Sequence, residues 1–220
     1  MSKLAGRVAW IVAPVLIAGL GQVLVLKTGL LPGLAVPLDA GVHWRGKPLL
    51  GPRKTWRGVI IMTTLSALVA TAQAGAARRS GRLRSLSPFD YDRINAGLLG
   101  VALGLGYCLA ELPNSFVKRR LDIAPAGRAN RFAWLQYLVD QSDSVAGCLI
   151  ALRLFYKPSR LETGAAFTTG LMLHVGVDQL MRSFGIKRAL TAQATWPRAC
   201  SPPRGPGCCP GRNQGCPRRW

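Results

Sequence analysis

GLLGVALGLGYCLAELPNSFVKRR, residues 97–120, is the stretch whose reading decides the fold. Gly97–Ala110 carries no charge, whereas Glu111–Arg120 brings together a carboxylate, a proline, small polar groups and the cations Lys118, Arg119 and Arg120. An uncharged run that stops at cations is the pattern of a helix crossing a bilayer and ending at the lipid headgroups. The cations can simply anchor that helix, or the boundary can itself be a place of chemistry, and the rest of the chain has to choose between the two.

Outward from this stretch the same pattern repeats. Val8–Leu26 is uncharged and ends at Lys27, Gly58–Ala77 ends at Arg78 and Arg79, and Ile94–Ala110 ends at Glu111. Each falls within the roughly 17–25 residues that cross a membrane as a helix. Ser144–Tyr156, interrupted by Arg153, and Gly164–Met181, with His174 and Asp178, read as a fourth and fifth span, the fourth beginning inside the polar segment before it. The expected fold class is therefore an all-α integral membrane protein of about five transmembrane helices with basic loops. Composition agrees: 220 residues carry a formal charge of +20, yet the mean hydropathy is +0.21. A soluble domain needs more acidic and polar residues at its surface. A nucleic-acid binder is disfavoured because the cations lie between long apolar runs.

An N-terminus outside the cell would place Asp39–Arg57, Leu112–Asp143 and everything after Met181 on the inner side. That arrangement is modestly favoured by the distribution of Lys and Arg, and the expected location is the plasma membrane with the polar segments facing the cytoplasm. The first run is longer than a signal peptide and has no small-residue cleavage site. Gly100 and Gly104 form a small-xxx-small pair suited to close helix packing. Two domains are expected, a membrane domain over 1–190 and a tail over 191–220 rich in Pro, Gly, Arg and Cys. The tail cannot bury enough apolar surface to offset its ordering entropy, so disorder is expected there. Cys200, Cys208, Cys209 and Cys216 do not have the paired spacing of a zinc knuckle. Cys108 and Cys148 read as small buried hydrophobes.

Two polar segments carry the chemistry. RGKPLLGPRKTWRG, residues 45–58, holds Arg45, Lys47, Arg53, Lys54 and Arg57 among turn-forming Gly and Pro. Its glycines let backbone approach a ligand, and Trp56 between Lys54 and Arg57 offers a stacking surface beside phosphate-binding cations. A solvated or lipid-anchoring loop is the competing reading. In the second segment Pro113 is expected to open a new helix. Ser115, Lys118 and Arg119 would then share a face at i, i+3 and i+4. Asp140 and Asp143, at i and i+3, would point the same way at the mouth of the fourth span. The ordinary alternative is a helix cap with a dipole-favoured acid; paired carboxylates are also how Mg2+ is held beside phosphates.

GKPLLGPRKTWRG, ELPNSFVKRR and DQSDSVAG, in this order and separated by spans, resemble the CDP-archaeol synthases, small membrane cytidylyltransferases related to the CDP-diacylglycerol synthases. The resemblance covers most of Val8–Arg188 and stops before the tail. It implies that CTP and a membrane lipid phosphate give a CDP-activated lipid and pyrophosphate. It also implies site residues: Asp140 and Asp143 as metal acids, with Glu111 as a third ligand where relatives carry the Asp of a G-D-L step. Ser115, Lys118 and Arg119 match the S-x-x-K-R element expected to be catalytic. Lys54, Thr55, Trp56 and Gly58 match the K-T-W-x-G loop, and with Lys47 and Arg57 they are expected to bind substrate. Mg2+ is the expected cofactor; CTP, the lipid phosphate and the bilayer are the expected partners, without nucleic acid, and a homo-oligomer stays open. The Lys-Asp and His-Gly-Gly steps of the CDP-diacylglycerol branch are missing, which points to the archaeol-type branch and leaves the lipid open.

Two other classes fit parts of the pattern. A scaffold or anionic-lipid-binding protein would use the same basic loops without needing Asp140 and Asp143. A small transporter would place ionisable groups at mid-span, where Arg153, His174 and Asp178 are the candidates.

Overall fold

The computed structural model describes residues 3–123 and 133–183. The Pro/Gly/Arg/Cys tail and its cysteines lie outside them. The five apolar runs become five long helices: α1 (Lys3–Thr28), α2 (Trp56–Arg79), α4 (Ala96–Arg120), α5 (Ala133–Leu152) and α6 (Arg160–Ser183), with a short α3 (Gly81–Leu86) after α2. Of these, α1, α2 and α4 are long and apolar enough to cross a membrane by length and composition. Large apolar side chains such as Leu24, Leu68, Leu109, Ile150 and Met172 stay more than half exposed along the helices. A water-soluble bundle would bury such a girdle; a bilayer accepts it.

Helix α4 sits between α2 and α5, and α1 closes the bundle by packing on α2 and α6. Small residues make the inner contacts. A Cβ added at Gly100 would stand 2.4 Å from the Ser66 carbonyl, and one at Gly104 would stand 2.6 Å from the Thr63 Cα, so the expected small-xxx-small pair does seat α4 on α2. A second contact was not anticipated. A Cβ at Gly106 would meet the Gly147 carbonyl at 2.6 Å, and one at Gly147 would meet the Gly106 carbonyl at 2.2 Å. Backbone therefore touches backbone where α4 crosses α5.

Pro113 corrects one expectation. It does not start a new helix: α4 runs unbroken through it to Arg120. Proline inside a helix forfeits one hydrogen bond and crowds the preceding turn. Here the helix continues because its C-terminal part is held by tertiary contacts: Arg120 donates to the carbonyls of Trp44, Lys47 and Pro48, and Phe116 stacks on Trp44. The continuous helix carries the face with Ser115, Lys118 and Arg119 off the end of the apolar run as a rigid extension.

The segment between α1 and α2 is a compact loop. The strands β1 (His43–Trp44) and β2 (Lys47–Pro48) pair antiparallel, with Trp44 opposite Lys47. Arg45 and Gly46 between them have φ of 54° and 74°, the left-handed pair that a tight hairpin requires. Asp39, buried beneath, accepts from the backbone N–H groups of Gly41, Leu50 and Gly51. Burial alone would raise its carboxyl, but these donors outweigh that and hold it below the usual carboxylate range. The loop is locked to α2 by Leu38 and Trp56, whose N–H groups donate to the carbonyls of Lys54 and Val36.

Candidate active site

The second polar segment and the end of the first meet in one cavity of about 350 Å³. Its wall includes Arg53 and Lys54 from the loop, Glu111, Asn114, Ser115, Lys118 and Arg119 from α4, and Asp140 and Asp143 from α5. Residues expected to share helix faces do so. Lys118 forms an ion pair with Asp140, and Arg119 reaches the loop, 3.6 Å from where a Cβ at Gly51 would sit. Gly51 has φ of 96° and its N–H is held by Asp39, so a left-handed glycine lets the loop lie against the arginine.

Asp140 and Asp143 are not helix caps, because α5 begins at Ala133, well before them. They are joined instead by Asn114, whose amide nitrogen donates to Asp140 Oδ1 at 2.7 Å and to Asp143 Oδ2 at 2.8 Å. Ser144 is fully buried. Its hydroxyl lies 2.8 Å from Glu111 Oε1 and 3.1 Å from Asp143 Oδ1. Glu111 is closed by an ion pair with Lys54. Among the described residues no three of His, Cys, Asp and Glu form a ready-made metal cage. The three expected metal acids stay linked, Glu111 to Asp143 through the Ser144 hydroxyl and Asp143 to Asp140 through Asn114. Glu111 serves the Lys54–Ser144 network, and the two aspartates stand together under one amide.

The expected substrate-binding residues do not all line this cavity. Lys54 lines the charged cavity; Lys47, Thr55, Trp56 and Arg57 are not on its wall. Lys47 instead donates to the Arg120 carbonyl at 3.1 Å and pairs with Asp122 at 2.6 Å. Thr55 caps α2, its hydroxyl accepting from the Gly58 N–H, a role worth about 1 kcal/mol. That gives the Thr and Gly of K-T-W-x-G a structural reason. Trp56 is half exposed at the first turn of α2, and Arg57 donates to the Leu30 carbonyl. These contacts of the loop start α2 and hold the hairpin.

Sequence reasoning passed over Asn114, Ser144, Arg53, Gln141 and Tyr137. Asn114 and Ser144 stood inside the quoted motifs, and the signal that could have found Asn114 is helical spacing, since it precedes Lys118 by four. His174 and Asp178, candidates for a mid-span transport site, also line the cavity. His174 lies 3.1 Å from both the Tyr107 hydroxyl and the Gln141 carbonyl. Asp178 accepts from Arg182 at 2.8 Å and from Tyr137. They are partnered within the protein beside the motif residues, an arrangement unlike an isolated transport site.

A second cavity, about 310 Å³ and mostly apolar, opens beside the first. Val15, Leu16 and Val23 of α1 face Leu173 and Val177 of α6 across it. Arg53, Lys54, Glu111, His174 and Asp178 line both cavities, so the apolar space ends at charge.

The family model of CarS-like CDP-archaeol synthase matches residues 4–191. This chain belongs to the CDP-archaeol synthase family. Among the family's curated members, a CDP-archaeol synthase of Methanospirillum hungatei is 34% identical over 127 residues, covering 57% of this chain and 68% of that one. A CDP-archaeol synthase of Thermococcus kodakarensis is 31% identical over 157 residues, covering 70% and 76%. Across such relatives the matched part spans from 50% to 76% of their length. A solved structure described as an intramembrane enzyme for archaeal membrane lipids biosynthesis superposes with a TM-score of 0.52 at 26% identity, covering 77% of this chain and 91% of that chain. The CDP-archaeol synthase family is thus matched in sequence, and the fold matches that of an intramembrane enzyme; the chain is a mostly helical protein of the membrane.

Proposed function

We infer that this chain transfers a cytidylyl group from CTP to a membrane lipid phosphate, giving a CDP-activated lipid and pyrophosphate. The observation that carries the reading is the junction of a charged cavity, holding paired carboxylates and cations, with an apolar cavity between two helices. A soluble, highly charged nucleotide and a substrate with hydrocarbon chains need such a meeting place. A scaffold needs neither the paired acids nor the junction.

Both reactants are anions, so the chain's first task is to cancel charge. Lys118 and Arg119 face the cavity and hold phosphate oxygens by charge-assisted hydrogen bonds, while Lys54, on the same wall, neutralises Glu111 beside the substrates. Fixing both substrates in line converts an encounter of two anions into an intramolecular step. An oxygen of the lipid phosphate bonds to the α-phosphorus of CTP. The α–β bridging bond breaks, and pyrophosphate leaves with its electron pair. The lipid phosphate is ionised already, so no side chain has to act as a covalent nucleophile.

Mg2+ suits the site. Asp140 and Asp143 are hard oxygen donors turned to one side by Asn114, and Mg2+ beside phosphates is commonly held by one or two carboxylates. These two would hold the ion, and bound there it would supply charge neutralisation for the leaving pyrophosphate. Lys118, which now engages Asp140, would have its donors directed to phosphate, while Asn114 keeps the two acids turned together.

Five helices are read as crossing the bilayer, α5 and α6 completing the set begun by α1, α2 and α4. The polar groups gather at the end of the bundle where α1, α4 and α6 finish and α2 and α5 begin. That end is assigned to the cytoplasm, where CTP is available, and the membrane to the plasma membrane. The archaeol-type lipid phosphate is favoured by the family.

Membranes enriched in the chain are given labelled CTP and a lipid phosphate, and label is followed into the lipid fraction. Transfer by the unmodified protein is expected, with Asp140→Asn and Asp143→Asn inserting normally and losing activity by several orders of magnitude. Transfer at the unmodified rate in both variants would refute the assignment of the acids.

A further inference from the structure

The two cavities divide the substrates by their chemistry. A nucleoside triphosphate has no use for the apolar space between α1 and α6, and hydrocarbon chains have none for the charged cavity. A lipid phosphate, tethered to its chains, therefore has to present its headgroup where the apolar wall stops. Among the described residues two cations line both cavities, Arg53 and Lys54. Lys54 pairs with Glu111 and presents a single ammonium, a point charge without a directional fork. Arg53 offers a planar fork matched to two phosphate oxygens. It is half buried, and burial pulls its guanidinium down from the usual arginine range. It also stands near enough to Arg119 for the two like charges to repel. Neighbouring guanidiniums on a cavity wall are stabilised when anions come between them.

Building on the function inferred above, we propose that Arg53 receives the phosphate of the lipid substrate at the seam of the two cavities, while Lys118 and Arg119 hold the phosphates of the nucleotide. The neighbouring positions Arg53 and Lys54 then have different duties. Arg53 sets the position of the attacking oxygen, and Lys54 keeps Glu111 neutralised beside it. The arrangement also explains why Asp39 pins the loop at Leu50 and Gly51: Arg53, two residues on, is carried by that turn. A ligand-placing side chain works from a rigid base.

The experiment is steady-state transfer by the purified full chain in detergent or nanodiscs, using a short-chain lipid phosphate and CTP as the varied substrates. Arg53→Gln is expected to raise KM for the lipid phosphate by about tenfold to hundredfold, the usual effect of losing a charge-assisted contact, with KM for CTP little changed. Arg53→Lys, which keeps the charge and loses the fork, is expected to fall between, and it carries the test if the Gln variant does not fold. Arg93→Gln, exposed at the opposite end of the bundle, should move neither constant. A rise in KM for CTP with that for lipid phosphate unmoved overturns the inference, as does an unchanged pair of constants. If the unmodified chain transfers no label at all, the proposed function itself has failed; transfer by the unmodified chain with an unmoved lipid KM in the Arg53 variants sinks this inference alone.

Discussion

Replacing Asn114 by alanine tests the site through a residue that no charge argument singles out. Its amide is the common donor to Asp140 and Asp143, at 2.7 and 2.8 Å. Each hydrogen bond to a charged group is worth about 1.5–3 kcal/mol, so the two together set a ceiling of roughly 3–6 kcal/mol on what the amide contributes. The full amount is not lost, because Asp140 is 26% exposed and water can take up part of the vacated bonding. Residues that orient ligating carboxylates commonly cost 10–100-fold in activity when removed, about 1.4–2.8 kcal/mol, and that is the expected loss for Asn114→Ala. The loss should be partly recovered by raising Mg2+, since the carboxylates remain and are merely less well turned. Asn114→Asp is the sharper companion: it sets a third negative charge against two existing ones in a partly buried site, and at low Mg2+ it should be the worse variant. The assay is labelled cytidylyl transfer across a Mg2+ titration, with insertion checked by helical content in detergent. Unmodified activity in a folded Asn114→Ala protein would refute the view that one amide organises the pair.

Two further outcomes follow from packing and from charge. Gly147→Ala brings a Cβ to 2.2 Å from the Gly106 carbonyl and 2.4 Å from the Ala110 Cβ, so α5 has to move off α4; the expected cost is about 1–3 kcal/mol in thermal unfolding, with lowered transfer activity. Gly176→Ala on α6, where nothing lies within 4 Å, should be neutral or slightly stabilising in the same measurement. The Asp39 carboxyl is held below its ordinary value of 3.8. Its contribution to loop stability is therefore complete above that value and is lost as pH falls through the lower, folded one. Hydrogen exchange at the Leu50 and Gly51 amides should accelerate in that acid range relative to helix amides, and Asp39→Ala should show the faster exchange at neutral pH.

Much of this protein was legible in its sequence because a bilayer simplifies the problem. Backbone groups in hydrocarbon have to be satisfied within the helix, so uncharged runs bounded by cations translate directly into α1, α2 and α4. Helical spacing likewise placed Ser115 with Lys118 and Arg119, and Asp140 with Asp143, on common faces, because 3.6 residues per turn is a local property. Local rules also misled. Pro113 looked like a boundary, and it lies inside α4 because Arg120 and Phe116 tie the helix end to the hairpin. In the basic loop, local residue types say nothing of the partner each side chain takes. Its Thr55 caps a helix, its Lys47 pairs with Asp122 and its Arg57 meets a backbone carbonyl, which depends on where distant segments fall.

What the tertiary structure alone decided is which groups meet. Asn114 and the two aspartates are separated by a segment whose length says nothing of their contact. They come together because Gly106 and Gly147 let α4 and α5 touch backbone to backbone one or two turns away. The seam between a charged and an apolar cavity has no sequence signature at all. It arises from the gap between α1 and α6, and it places Arg53 beside residues of α4 and α6. Periodicity is written residue by residue along the chain, whereas the distance between helices depends on the small side chains at their crossings. For that reason the elements of this enzyme could be read in order, and its site became visible only once they were packed.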